Sequence, residues 1–138
     1  MIHFYIVLII NDLIIKEQQN ENLFLIEADK ERISQVIVNL LLNAIKFSNN
    51  DCIIQATIDK KDTANGKEII VSIKDTGTGI DPDLYPRLFT KFASKSESGG
   101  TGLGLFISKS IIEAHTGKIW AENNADGKGA AFYFSLPV

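Results

Sequence analysis

The chain has 138 residues and a formal net charge of −3, so its overall charge does not favour binding to a nucleic-acid backbone. With 45% hydrophobic and 22% charged residues, the composition is typical of one globular domain, which we expect to span residues 1–138. Cys52 is the only cysteine, which excludes an intramolecular disulfide and fits a reducing, cytoplasmic compartment.

The first 20 residues form the atypical part of the chain. The opening MIHFYIVLII lacks a basic leader and a small-residue cleavage site. Asn11 and Asp12 interrupt it well short of the roughly 20 apolar residues that a membrane-spanning helix needs. The pattern therefore predicts a buried strand that passes into a helix ending near Gln18, with neither a signal peptide nor membrane contact.

Apolar spacing and turn residues predict the next elements. A strand is expected at Leu23–Ala28, and Asp29 is a suitable N-cap for a long helix that runs to Ser48. Asn65-Gly66 is typical of a hairpin turn. The two strands joined by this turn are predicted at Cys52–Asp59 and Glu68–Asp75.

Glycine- and proline-rich turns organise the second half of the chain. Asp81 and Pro82 are expected to start a short helix that Pro86 ends. A polar, glycine-ended loop follows from Thr90 to Gly100, and it leads into a helix that ends at His115, whose charge would suit a helix C-terminus. A closing hairpin is predicted from strands at Lys118–Asn123 and Ala130–Val138.

The order of these elements indicates the fold class. Regular alternation of strands and helices fails between Cys52 and Asp75, so a doubly wound nucleotide-binding fold does not fit. We expect an α+β protein that forms a two-layer sandwich, with a mixed sheet covered on one face by three helices.

Three polar residues form a narrow stripe along the long helix. Asn39, Asn43 and Lys46 lie at i, i+4 and i+7, positions that return to nearly the same direction. Amide oxygens suit Mg²⁺, and a lysine beside them could contact a phosphate. A solvated helix flank is the ordinary alternative, but Val38 and Leu42 make the helix apolar on its far side too, and amides in such a setting need partners.

Two glycine-rich segments complete the candidate site. KDTGTGI places Asp75 at a strand exit, where its carboxylate could accept a hydrogen bond from an exocyclic amine. GGTGLGL runs directly into a helix, an arrangement that favours an anion, most readily phosphate. Each segment alone is a weak signal, since the first also fits an ordinary acidic turn.

Other site types find no support in the sequence. The glycine spacing matches neither a P-loop nor a dinucleotide-binding fingerprint. His3 and His115 are the only histidines, which argues against a nucleophilic triad and against a His/Cys zinc site.

Taken together, NLLLNAIKFS, DTGTGI, LFTKF and GGTGLGL resemble the N, G1, F and G2 boxes of sensor histidine kinases, in order and spacing. The resemblance covers residues 23–137 and extends to the superfamily that includes gyrase and MutL. It implies the Bergerat-type ATP-binding sandwich, with ATP between the N-box helix and a flexible lid. The implied activity is that of a protein-histidine kinase with ATP and Mg²⁺ as cofactors.

The resemblance also implies roles for individual residues. Asn39, Asn43 and Lys46 would be catalytic, with Asn43 as the metal ligand and Lys46 as a phosphate contact. Asp75 would accept a hydrogen bond from the adenine amino group. The implied nucleotide-binding residues are Asn43, Lys46, Phe47, Asp75, Gly77, Gly79, Ile80, Lys95, Gly100, Thr101, Gly102, Leu103 and Gly104.

Some positions refine this implication. Phe89 and Phe92 would anchor the lid, in which Lys95 is the only cation after them. Asn39 stands where ATP-hydrolysing relatives carry a glutamate, and a neutral amide is a poor general base, so we expect the γ-phosphate to be kept for a histidine acceptor. Ala130 replaces a frequent serine or threonine, which predicts a reduced affinity for the nucleotide.

The implied partners are a histidine-bearing dimerisation domain of the parent kinase and a response regulator downstream, with no nucleic acid. The acceptor motif of that domain does not occur in this sequence. We expect a cytoplasmic domain, whether or not the parent is membrane-anchored. Two alternatives stay open: a nucleotide-binding regulatory or docking module of the pseudokinase type, and an anti-sigma-type serine kinase, although the latter usually keeps the glutamate that Asn39 replaces.

Overall fold

The computed structural model describes residues 3–9, 12–18, 28–46, 53–91, 102–125 and 127–138. These residues contain six strands and two α-helices, together with a 3-10 turn at Tyr85–Arg87. The elements are β1 (His3–Ile9), β2 (Asp12–Gln18), α1 (Lys30–Lys46), β3 (Ile53–Thr63), β4 (Gly66–Asp75), α2 (Gly104–Ala114), β5 (Lys118–Asn123) and β6 (Ala130–Pro137).

The six strands form one sheet in the order β2-β1-β3-β4-β6-β5. Both helices pack on one face of it, so the predicted α+β two-layer sandwich is confirmed. The prediction of a mixed sheet is wrong for the described strands, because every pairing between them is antiparallel. The predicted strand at Leu23–Ala28 lies outside the described residues, apart from Ala28.

The third predicted helix is only a 3-10 turn. An α-helix that began at Pro82 would need the N–H of residue 86 to donate to the carbonyl of residue 82, and Pro86 has no N–H. The chain instead forms two tight bonds to the Asp81 carbonyl, from the N–H groups of Leu84 and Tyr85, at 3.0 Å each.

The N-terminal prediction of a strand followed by a helix is wrong. β1 and β2 form an antiparallel pair from His3–Gln18 to Ile9–Asp12. β1 also pairs with β3, so this pair extends the main sheet. Both apolar runs are rich in isoleucine, and β-branched residues favour strands. Neither α1 nor α2, the helices that the structure describes, has the length and apolarity needed to cross a membrane.

Helical spacing in the sequence predicts one core-facing stripe on α1, and its described members are buried or partly buried: Ile33, Val36, Ile37, Leu40 and Ala44. Val36, Leu40 and Ala44 have no exposed surface, whereas Val38 and Leu42 on the other side are 51% and 59% exposed. The buried stripe belongs to one core that also contains residues of α2 and alternate residues of the paired strands β4 and β6. The strand residues are Ile69, Val71 and Ile73 in β4 and Phe132, Phe134 and Leu136 in β6.

The two helix ends meet through a histidine. Asp29 caps α1 as predicted, since its Oδ1 accepts from the N–H groups of Glu31 and Arg32 at 3.1 and 3.2 Å. The His115 Nδ1 lies 2.8 Å from the Ile111 carbonyl and must donate to it, while Nε2 accepts from the Asp29 N–H at 3.1 Å. The imidazole therefore links the C-terminal end of α2 to the N-cap of α1.

The β3–β4 hairpin is longer than predicted, because β3 runs to Thr63 in place of Asp59 and β4 begins at Gly66 in place of Glu68. The β3–β4 turn consists of Ala64 and Asn65, since Thr63 pairs with Gly66, which places it one residue earlier than predicted. The helix after the glycines and the two strands of the closing hairpin agree with the predicted ranges to within one residue at most ends.

Gly117 marks the closest backbone approach at the end of α2. A Cβ at this position would lie 2.0 Å from the Ser135 carbonyl oxygen, in a strand that is paired on both sides. We therefore expect Gly117→Ala to lower the free energy of unfolding by about 3 kcal/mol in urea titrations.

Gly127→Ala is the matched control for this prediction. Gly127 has a φ of 76° but no atom within 4 Å of a built Cβ, so only the backbone conformation should cost stability, by about 1 kcal/mol. Equal losses in the two variants would contradict the steric explanation for Gly117.

Candidate functional site

The exit of β4 presents a buried carboxylate. Asp75 is 3% exposed, and its Oδ1 accepts from the N–H groups of Gly77 at 2.9 Å and Ala130 at 3.3 Å. Its other carboxylate oxygen has no hydrogen bond to any residue that the structure describes. Burial raises the pKa of the Asp75 carboxyl, and the two backbone hydrogen bonds offset part of that shift.

The loop between β5 and β6 wraps around this strand exit. Asn124 donates from Nδ2 to the backbone carbonyls of Asp75 and Lys128, at 2.8 Å each. Gly129 has a φ of 78°, and a Cβ on it would lie 2.0 Å from the Asp75 carbonyl oxygen. Sequence reasoning missed both residues, and their only sequence signal was the turn composition of NADGKG.

A cleft lies against Asp75. Its walls are apolar apart from two carboxylate residues. The lining residues are Asp75, Gly79, Ile80, Asp81, Leu84, Leu88, Ala130 and Phe132. A flat, largely apolar ligand with one hydrogen-bond donor fits this chemistry.

The glycine turn after β4 is held in place by β5. The Ile80 N–H donates to Asn123 Oδ1 at 2.8 Å, and a Cβ on Gly79 would lie 3.0 Å from the same oxygen. Asn123 was not predicted as a site residue. The structure thus places Gly77, Gly79 and Ile80 together at the Asp75 end of the cleft.

The polar stripe of α1 contains an amide without a partner. Asn43 Nδ2 is buried and has no hydrogen bond within the part of the chain that the structure describes. Buried amides in native proteins are almost always hydrogen-bonded. The position therefore fits a group that a bound ligand completes.

Asn39, one turn earlier, is bound to the other helix. Its Nδ2 donates to the Gly104 carbonyl at 3.4 Å and to Ser108 Oγ at 3.3 Å. The stripe that carries Asn39, Asn43 and Lys46 therefore adjoins the glycine segment that begins α2, as the predicted site requires. Lys46 lies at the exposed C-terminal end of α1.

The second glycine segment is described from Gly102 onwards. Gly102 has a φ of 73°, Leu103 is the N-cap of α2 without a side-chain cap bond, and Gly104 is the first helical residue. The first-turn N–H groups of α2 therefore have no side-chain cap and are available for an anion. The predicted site residues Phe47, Lys95, Gly100 and Thr101, and the lid anchor Phe92, lie outside the described residues.

One aromatic residue on each side of the predicted lid, Phe89 before it and Phe106 after it, makes a contact that the structure describes. Phe89 is partly buried against the core, as expected for an anchor. Lys91 Nζ lies 5.1 Å from the centre of the Phe106 ring in α2, a cation–π contact that the sequence did not indicate.

Comparison with known proteins agrees with this geometry. Residues 28–138 match the family model described as histidine kinase-, DNA gyrase B- and HSP90-like ATPase. Among curated proteins, the sensor protein FixL of Bradyrhizobium diazoefficiens is 42% identical over 114 residues, which are 83% of this chain and 22% of FixL. The chain thus spans about a fifth of the length of this relative.

Solved structures give the same result. The catalytic domain of histidine kinase ThkA is 37% identical with a TM-score of 0.65, over 80% of this chain and 69% of that domain. Full-length ShkA in complex with AMPPNP is 31% identical with a TM-score of 0.63, over 80% of this chain and 22% of ShkA. The chain belongs to the histidine kinase-, DNA gyrase B- and HSP90-like ATPase family, and its fold is that of histidine kinase catalytic domains.

Proposed function

We propose that the chain is the ATP-binding catalytic domain of a sensor histidine kinase. It transfers the γ-phosphoryl group of Mg-ATP to a histidine on a separate dimerisation domain. The observation that carries this proposal is Asp75, a buried carboxylate on the wall of an apolar cleft, with one oxygen held by backbone N–H groups and the other without a partner among the described residues. That oxygen suits the amino group of adenine.

The nucleotide extends from the exit of β4, where the adenine binds, to α1 and α2, where the phosphates bind. Gly77, Gly79 and Ile80 shape the adenine end of the cleft. Lys46 and the first turn of α2 supply positive charge and N–H donors for the phosphates. Phe47, Lys95, Gly100 and Thr101, which flank these elements in the chain, complete the proposed set.

The residues present fit a Mg²⁺ ion. Asn43 Nδ2 is buried and has no partner in the described chain, and rotating the amide by 180° presents the side-chain oxygen at this position. The described residues hold no cluster of three or more His, Cys, Asp or Glu side chains, so phosphate oxygens and water would complete the coordination. The ion supplies neutralisation of the phosphate charge.

Asn39 favours transfer over hydrolysis. A carboxamide takes up no proton from water near neutral pH, so Asn39 cannot act as a general base. Its Nδ2 hydrogens are donated to Gly104 and Ser108 of α2. The γ-phosphoryl group is kept for an imidazole nitrogen, which is nucleophilic when neutral. Positioning and charge stabilisation supply the catalysis.

The proposed setting is cytoplasmic, with the histidine-bearing domain of the parent kinase as the direct partner and a response regulator downstream. The sensor kinases that the chain resembles are several times longer than this chain, which supports a separate source for the acceptor histidine.

Calorimetric titration with AMPPNP tests the proposal. We expect saturable one-site binding that Mg²⁺ strengthens at least about tenfold, since coupling between two bound ligands commonly amounts to 5–150-fold. GMPPNP is the control, because guanine places a carbonyl where adenine has its amino group, and Asp75 would repel it. A folded sample that binds neither analogue at millimolar concentration would favour the docking module instead.

A further inference from the structure

Ser108 joins the two helices at the glycine end of α2. It has no exposed surface. Its Oγ donates to the Gly104 carbonyl one turn earlier at 2.8 Å, and it accepts from Asn39 Nδ2 at 3.3 Å. The Gly104 carbonyl accepts from the same Nδ2 at 3.4 Å. One serine, one carbonyl and one amide thus form a closed triangle of hydrogen bonds.

This triangle fixes the direction of the Asn39 amide. The Gly104 carbonyl can only accept, and the hydroxyl proton of Ser108 is already donated to it. Both atoms that face Asn39 from α2 are therefore acceptors, and only the NH₂ end of the amide satisfies them. The opposite orientation would place an oxygen against two oxygens at about the same separation.

The amide oxygen of Asn39 is consequently turned away from this triangle. It has no hydrogen bond within the described part of the chain, and it belongs to the same stripe as Asn43, one helical turn later. Two amides at i and i+4 then lie on one stripe of α1: Asn39 is held in a fixed orientation, and Asn43 Nδ2 has no partner in the described part of the chain.

We propose that Ser108 is a positioning residue of the nucleotide site, which orients the Asn39 carboxamide so that its oxygen faces the bound cation and its water shell beside Asn43. This inference rests on the proposed function. It also explains the amide at position 39, because a carboxylate there would have no N–H to donate and would place an oxygen against the Gly104 carbonyl oxygen.

The alternative is a purely structural role, in which the buried Ser108 hydroxyl only forms a hydrogen bond within α2. Ser110 provides the matched control, because its Oγ makes the same type of bond to the carbonyl four residues earlier, that of Phe106, at 3.1 Å. Ser110 is exposed and makes no hydrogen bond to α1 within the described chain.

The test compares Ser108→Ala with Ser110→Ala in the full chain. The first readout is the ratio of AMPPNP dissociation constants without and with Mg²⁺. We expect Ser108→Ala to reduce this ratio roughly tenfold, as for other residues that orient metal-binding groups, and to leave metal-free affinity within about twofold. The second readout is the Asn39 side-chain NH₂ signal in ¹⁵N-correlated spectra, which should shift in the apo form of Ser108→Ala only.

The outcomes separate the possibilities. Equal losses with and without Mg²⁺, or a ratio unchanged from Ser110→Ala, would overturn the positioning role while the proposed function stands. No saturable binding to the wild-type chain would overturn both. If Ser108→Ala does not fold, Ser108→Cys keeps the volume with a weak hydrogen-bonding thiol, and the same ratio decides.

Discussion

Replacing Asn43 with alanine is expected to abolish the strengthening of AMPPNP binding by Mg²⁺ and to leave the fold at least as stable as that of the wild type. The two effects share one cause. Asn43 Nδ2 is buried and has no partner among the described residues, so the apo fold bears an unsatisfied donor, which costs about 1–3 kcal/mol. A bound ligand would satisfy that group.

The two readouts are titration with AMPPNP, with and without Mg²⁺, and the free energy of unfolding of the apo chain. Leu42→Ala is the control, since Leu42 lies on the same helix turn and is 59% exposed. It should leave binding unchanged. An Asn43→Ala variant that keeps its Mg²⁺ effect would contradict the metal assignment, and one that is strongly destabilised would show that the amide has a structural partner.

Residues that lower the stability of the fold but contribute to ligand binding are common at functional sites. The Asn43 position was identifiable from the sequence because helical spacing groups it with Asn39 and Lys46. That its amide has no partner was not, because this depends on which groups the fold brings near it.

Local signals predicted the elements that depend on local physics. The Asp29 cap, the α1 core stripe and the closing hairpin are each fixed by residues within a few positions of one another, so the periodicity and the turn chemistry suffice. The prediction for the N-terminal strands was wrong because a short apolar run fits a helix and a strand equally well. Pairing of β1 with β3 favours the strand.

Long-range contacts explain most of what the sequence did not reveal. Asn39 and Ser108 are 69 residues apart, Asn124 and Asp75 are 49 apart, and His115 meets Asp29 across 86 residues. The sequence identified Asn39 and Asp75 by their types and places. It contained no sign that Ser108 or Asn124 would hold them, since small polar residues at such positions are ordinary.

Asp75→Asn is expected to weaken AMPPNP binding roughly a hundredfold, the equivalent of one lost charge-assisted hydrogen bond, and to leave tripolyphosphate binding unchanged. The backbone N–H groups of Gly77 and Ala130 require an acceptor, so the asparagine oxygen must take the place of Oδ1. Its NH₂ group then occupies the position of the free oxygen and opposes the adenine amino group, donor against donor.

The same substitution should stabilise the apo chain at neutral pH. Burial raises the pKa of the Asp75 carboxyl above 3.8 in the folded state, so the folded protein resists ionisation more than the unfolded chain does. The contribution of Asp75 to the free energy of unfolding is therefore fully present below about pH 3.8 and is lost as pH rises through the higher folded pKa. Asparagine does not ionise, so the advantage of the variant should be absent in acid and grow towards neutrality.

Urea titrations at several pH values and calorimetry with both ligands measure these effects. Asp83→Asn, at an exposed position in the same segment, is the control and should leave the binding of both ligands unchanged. Equal losses of AMPPNP and tripolyphosphate would assign Asp75 to the phosphate end of the cleft. A variant that loses stability relative to the wild type as pH rises would mean that the ionised carboxylate stabilises the fold, and that the free oxygen of Asp75 has a structural partner in place of a ligand.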